Sequence, residues 1–304
     1  MTCDPRDSGA AGRGGRCGAG AARRGCHWRA AFAALGLMLL APAVAVADDL
    51  SALRGSLSNS YATPSYSRWD GINFGAQLGV SNMNTDFGNS SSALIAYSLR
   101  NTTVENEFHP SNWTTLPANT TNGRQYGAFL GYNMQWDQLV IGIDGAYNLM
   151  STMESSTRDR IGRQVTTSDT FVNQVDISAQ SSLKLIDYAT VRVRAGYAIG
   201  QFLPYAVLGG AVGRFNYATT ATTVVGGNSP TIPAPNNVYG PTTDTQSSAK
   251  NNAIIGGFVV GLGMDVAILP NVFLRGEWEF VGFTPVNGIR ANLNTGPVAI
   301  GLKF

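Results

Sequence analysis

Leu293-Asn-Thr-Gly-Pro-Val-Ala-Ile-Gly-Leu-Lys-Phe304 reads as a strand with two unlike faces. Counting back from Phe304, Leu302, Ile300, Val298 and Gly296 share one parity, and Lys303, Gly301, Ala299 and Pro297 share the other. Side chains alternate across a strand, so one face suits hydrocarbon and the other does not, as in a transmembrane β-strand. One such stretch is weak on its own. Its weight comes from recurrence along the chain.

Working back from that stretch, seven more strands follow the same rule. Trp69 opens the first, with Ile72, Phe74, Ala76, Leu78 and Val80 on one face and Asn73, Gly75, Gln77 and Gly79 on the other. The second presents Tyr126, Ala128, Leu130, Tyr132, Met134 and Trp136; the third presents Leu139, Ile141, Ile143, Tyr147 and Leu149 and turns Asp144 the other way. In the fourth, Val191, Val193, Ala195 and Tyr197 oppose Arg192 and Arg194. The fifth sets Leu203, Tyr205, Val207, Phe215 and Tyr217 outward and Arg214 and Asn216 inward. The sixth opposes Ile254, Phe258, Val260, Leu262, Met264 and Val266 to Gly257, Gly261, Gly263 and Asp265. The seventh opposes Leu274, Trp278 and Phe280 to Arg275, Glu277 and Glu279.

The connections alternate too. Polar loops rich in Asn, Ser and Thr are expected over 82–122, 151–181 and 218–250, and tight turns at Asp137-Gln138, Gly200-Gln201 and Leu269-Pro270-Asn271. Short periplasmic turns and long extracellular loops are the pattern of an outer-membrane barrel. The fold class expected is therefore all-β: an eight-stranded antiparallel up-and-down transmembrane β-barrel over 69–304. The charges lie on one face and the apolar groups on the other, and Tyr126, Trp136, Tyr147, Tyr197, Tyr205, Tyr217 and Trp278 near strand ends read as interface girdles. A soluble β-sandwich also alternates, but it has no reason for this loop asymmetry.

Residues 1–47 read as a secretory signal peptide: Arg23, Arg24 and Arg29 precede an apolar run from Ala30 to Leu40, and Ala45-Val46-Ala47 supplies a cleavage site before Asp48. The long stretch ahead of Arg23 suggests a start codon downstream of Met1. Residues 48–68 read as a periplasmic N-terminal tail. The signal segment holds six arginines and two aspartates, so its removal takes the balance from 21 basic against 19 acidic groups to 15 against 17. The mature chain carries −2, which implies no nucleic-acid partner. Cys3, Cys17 and Cys26 leave with the signal, so no thiol, disulfide or cysteine–zinc chemistry is expected. After the signal no apolar stretch approaches the roughly 18 residues of a membrane helix, which leaves a closed barrel as the way to span a bilayer.

From Thr190 the chain reads T-V-R-V-R-A-G-Y-A, then Q-F-L-P-Y-A and the pair Gly209-Gly210; later come G-L-G-M-D-V-A-I-L-P-N-V and R-G-E-W-E-F. With Trp69 and Phe304 these ordered pieces resemble the small outer-membrane β-barrel surface proteins of alphaproteobacteria, over roughly residues 69–304. The resemblance implies an eight-stranded barrel, surface exposure and a structural or antigenic role. It brings no catalytic residues. The long stretches 82–122 and 218–250 depart from it.

Chemistry is sparse. The mature chain has one histidine, His109, in a polar loop before Pro110, which reads as a solvated group rather than a base. No catalytic, cofactor or metal site is expected. The inward charges Asp144, Arg192, Arg194, Arg214, Asp265, Arg275, Glu277 and Glu279 read as one lumen network, since an eight-stranded barrel is just wide enough for side chains to fill. The alternative is a charged constriction that conducts small solutes. Phe304 is expected to act as an assembly signal recognised by the barrel-assembly machinery. The other partners expected are outer-membrane lipid and lipopolysaccharide, with the ligand of any loop unknown.

Overall fold

The computed structural model describes residues 68–304. The expected signal peptide, the expected Ala47–Asp48 cleavage site and nearly all of the expected N-terminal tail lie outside the described residues. The chain forms β1 (Gly71–Asp86), α1 (Ser92–Ser98), α2 (Thr103–Phe108), β2 (Asn119–Trp136), β3 (Leu139–Ser151), β4 (Glu154–Thr166), β5 (Val172–Tyr197), β6 (Phe202–Asn228), β7 (Val238–Leu269), β8 (Val272–Phe283) and β9 (Arg290–Lys303).

Every pairing is antiparallel between neighbours, β1 pairs with β9, and β3 pairs with β5 to close the ring. That ring has eight walls. β4 is the upward continuation of β3: both pair with β5, and the chain breaks between them at Thr152, whose φ is 58°. The fold is thus an eight-stranded antiparallel up-and-down transmembrane barrel, with β4 as an extra strand above one wall.

Alternation sets the faces. Leu78 is 67% exposed, Leu130 61% and Leu262 61%, whereas Asn73, Gln77, Asn133 and Asp144 on the opposite parity are buried. The outward apolar run from Ile72 to Val80 on β1 matches the roughly 9–11 residues that a tilted membrane strand needs. Phe304 continues the outward face of β9: it is 68% exposed, and its ring stacks on Phe74 at 5.8 Å.

Three expectations need correction. The stretches 151–181 and 218–250 are not irregular loops. They are hairpins that carry β4–β5 and β6–β7 past the apolar belt, with turns after Thr166 and Asn228. Beyond the membrane both faces of a strand meet water or other polar groups, so the apolar alternation fades while Thr- and Val-rich backbone still pairs. The stretch 82–122 likewise holds the end of β1, α1, α2 and the start of β2. α2 begins at a Thr-x-x-Glu box in which the Thr102 hydroxyl accepts the Glu105 amide at 3.2 Å. Ile95, Leu99 and Val104 from this segment pack on Val175, Ile177, Ala221 and Val225 of the raised strands.

The third correction concerns β6, whose faces are the reverse of those expected. Leu203, Tyr205, Val207 and Phe215 point into the barrel and are at most 5% exposed, while Leu208, Val212 and Arg214 point out. Tyr205 therefore does not belong to an interface girdle, and Tyr217 packs against the inner apolar cluster.

Candidate functional site

The lumen is layered, and the inner face of β8 displays the layers in order. From the turn upward it carries Phe273, then Arg275, Glu277 and Glu279, then Val281 and Phe283. Phe273 belongs to a lower apolar cluster with Trp69, Phe129, Val140, Leu203, Tyr205 and Val207. Val281 and Phe283 belong to an upper cluster that includes Met83, Phe87, Leu116, Met153, Leu185, Tyr188 and Phe215. The charges sit between these two apolar plugs.

Geometry resolves the charged layer into paired groups. Arg192 on β5 donates from Nε to Asp144 Oδ1 of β3 at 2.8 Å, and its terminal nitrogen reaches Glu277 at 3.2 Å and also Glu279. Arg194, two residues on and so on the same face, reaches Asp265 of β7 at 2.7 Å. Arg275 grips Asp265 with two parallel bonds of 2.9 and 3.1 Å, and lies 3.5 Å from Asp144 and 4.0 Å from Glu277. Three guanidiniums thus face four carboxylates, each of these side chains at most 2% exposed. Burying ions is expensive unless each is paired and hydrogen-bonded. The bidentate Arg275–Asp265 contact is the geometry in which arginine pairs most strongly.

Aromatic rings complete the layer. The Tyr205 hydroxyl donates to Glu277 Oε1 at 2.5 Å, and its ring lies 3.8 Å below the Arg194 guanidinium. Phe129 stacks under Arg275 at 4.1 Å. Tyr205 finds room because its ladder partner is Gly263, where a Cβ would sit 2.6 Å from the tyrosine ring. Beside the charges, Gln77 donates to Asn148 at 2.6 Å, and Gln125 accepts from Tyr188 at 2.9 Å and from Ser81 at 3.0 Å. At the lower mouth Trp69 packs edge-on to Phe273, and the Lys303 ammonium lies 4.2 Å from the Trp69 ring.

Of the eight charges expected in the lumen, the fold brings seven together: Asp144, Arg192, Arg194, Asp265, Arg275, Glu277 and Glu279. Arg214 is the exception. It stands on the outer wall near the top of the apolar belt, its side chain 45% exposed, and it pairs with Asp187 of the neighbouring strand. An arginine there can lay its stem on apolar surface and lift its head toward water. Tyr205 and Phe129 were not expected in the lumen. The glycine facing Tyr205 across the ladder was the available signal. His109 caps the C-terminal end of α2 with a left-handed backbone (φ 49°).

No family model and no curated protein matches the chain. Among solved structures, Ail, the attachment invasion locus protein of Yersinia pestis, is 12% identical with a TM-score of 0.29, covering 77% of this chain and 99% of that one. Neisserial surface protein A is 13% identical with a TM-score of 0.29, covering 76% and 97%. OprG from Pseudomonas aeruginosa is 10% identical with a TM-score of 0.32, covering 77% and 96%. Scores this low carry no inference about function.

Proposed function

We propose that this protein is a non-catalytic, surface-exposed β-barrel of the bacterial outer membrane, with a lumen closed to solutes and raised hairpins available for contact outside the cell. The observation that carries this reading is the filled lumen. Arg192, Arg194 and Arg275 are each about 1% exposed, and apolar plugs lie above and below them. A conducting pore needs a water-filled path along its charges, and side chains occupy that path. What is left to work with is the outside: a lipid-facing wall and a folded projection above it. Lipopolysaccharide and other outer-membrane lipid are the partners of the wall. Phe304 and its strand are the contact for the barrel-assembly machinery.

Single cysteines test the reading, because the mature chain is expected to contain none. A membrane-impermeant maleimide should label Asn236→Cys in the β6–β7 turn on intact cells. Gln138→Cys in a tight turn should react only after the outer membrane is permeabilised. Ala146→Cys faces the lumen, where Ala146 is 6% exposed, and should stay unlabelled until the barrel is unfolded. Labelling of folded Ala146→Cys would favour the small-solute channel; labelling of Gln138→Cys on intact cells would invert the topology.

A further inference from the structure

Above the belt the sheet is no longer closed. Among the described residues β4 pairs only with β5, and the upper half of β7 pairs only with β6, so the projection has two edges there. The β7 edge is blunted by Pro241, which has no amide to offer, and α1 packs against that strand. Among the described residues the β4 edge is closed only at its base, where the side chains of Asn119 and Thr121 of β2 donate to the carbonyls of Ser156 and Glu154, both at 3.1 Å.

Those contacts set the phase of the strand. At its two ends Met153 accepts from the Leu185 amide and Thr167 donates to the Phe171 carbonyl, both at 3.0 Å, so odd-numbered backbone groups turn toward β5. Even-numbered ones turn away from it. The amides and carbonyls of Arg158, Gly162 and Gln164 therefore face open water along an exposed edge. Arg160 has the same orientation, but its amide is already taken by the Asp159 carboxylate at 2.8 Å. The edge has thus captured an acceptor of its own, a carboxylate oxygen.

The side chains of these even residues share the face opposite the apolar cluster, and two of them are arginines. An unpaired row of backbone groups is a template for another strand, and the charges select which one. Pairing two copies antiparallel about Asp159 or Arg160 would set arginines directly opposite one another, which is destabilising, and pairing about Ile161 would set both arginines against the neutral Gly162 and Gln164. A strand with carboxylates at alternate positions meets both arginines favourably.

We propose that the free edge of β4 docks an extended acidic segment of another protein, which adds to the sheet as a further strand. Backbone bonds hold it, and Arg158 and Arg160 choose it. The inference rests on the proposed exposure of the projection outside the cell, but its test does not depend on topology. Purified full-length protein in detergent micelles is titrated into a fluorescein-labelled, end-capped heptapeptide alternating Glu and Val, read by fluorescence anisotropy. Saturable binding is expected, with at least a tenfold loss when Lys replaces Glu in the peptide or when the amides along one peptide edge are N-methylated. Arg158→Glu combined with Arg160→Glu should weaken binding at least tenfold. Gln164→Pro, which removes one edge donor without changing charge, should weaken it several-fold. Asp159→Ala frees the Arg160 amide and removes the resident carboxylate, so it should tighten binding several-fold. Circular dichroism and heat-modifiable mobility identify variants that keep the barrel. No binding by the folded wild type overturns the proposal. So does equal binding of the N-methylated peptide, which would mean ionic attraction without strand addition, or indifference to the arginine pair.

Discussion

Arg275 is the residue on which the lumen turns. It holds Asp265 with two bonds, lies within ion-pair reach of Asp144 and Glu277, and rests on the Phe129 ring. Losing this arginine strips Asp265, Asp144 and Glu277 of a shared partner at once, whereas amidating one acid removes a single charge and keeps an oxygen that can accept hydrogen bonds. Arg275→Met should therefore cost about 3–5 kcal/mol of unfolding free energy, the usual cost of breaking a buried pair from one side. Glu277→Gln should cost less, about 1–3 kcal/mol for weakened charged hydrogen bonds, because Arg192 keeps Asp144 and Glu279. Urea midpoints of barrels refolded into lipid vesicles measure both. Equal costs would mean that Arg275 is no more central to the layer than one of its acids. The parity of these charges was readable from the sequence because Arg192-Val193-Arg194 and Arg275-Gly276-Glu277-Trp278-Glu279 alternate sharply. Arg214 misled because it sits between Gly213 and Phe215, where parity alone cannot tell a lumen charge from a snorkelling one.

Strands announce their faces only where the two sides differ. β1, β8 and β9 do so, and their walls follow the sequence pattern. β6 does not: the plugs above and below the charged layer demand Leu203, Tyr205, Val207 and Phe215 inside, while lipid takes Leu208 and Val212 outside. With apolar groups on both parities, choosing the richer face gave the wrong one. In β5 the parity also slips at a bulge between Leu185 and Asp187, so Leu183 and Leu185 as well as Tyr188 and Arg192 turn inward. The raised hairpins were missed for the opposite reason, since neither face there is lipid-facing. Their turns make a separate prediction. The Thr167 hydroxyl donates to Asp169 and holds its carboxyl below the usual carboxylate range. A depressed folded pKa contributes stability above the unfolded value, about 3.9, and that stability is lost as pH falls through the folded value. Hydrogen exchange at Thr167, corrected for intrinsic rates, should lose protection over that acidic window, and Asp169→Ala should show the loss already at neutral pH. A wild-type profile flat through the same window would remove the carboxylate from any role in the turn.

Taken whole, the molecule uses its wall and its interior for different ends. The wall spends its apolar side chains on lipid, and the interior spends its charges on one another. The projection above the belt has a core of its own, built by α1 and α2 on β4, β5 and β6, and it keeps one addressable edge. What separates the proposed surface protein from a pore is the seal. Conductance of the purified protein in planar bilayers tests that seal most directly. The wild type should add no stable current steps to the bare membrane, and any steps added by Glu277→Ala should come only together with a lowered urea midpoint. Steady, ion-selective steps from the wild type, with Glu277→Ala changing the selectivity and leaving the midpoint in place, would contradict a closed lumen.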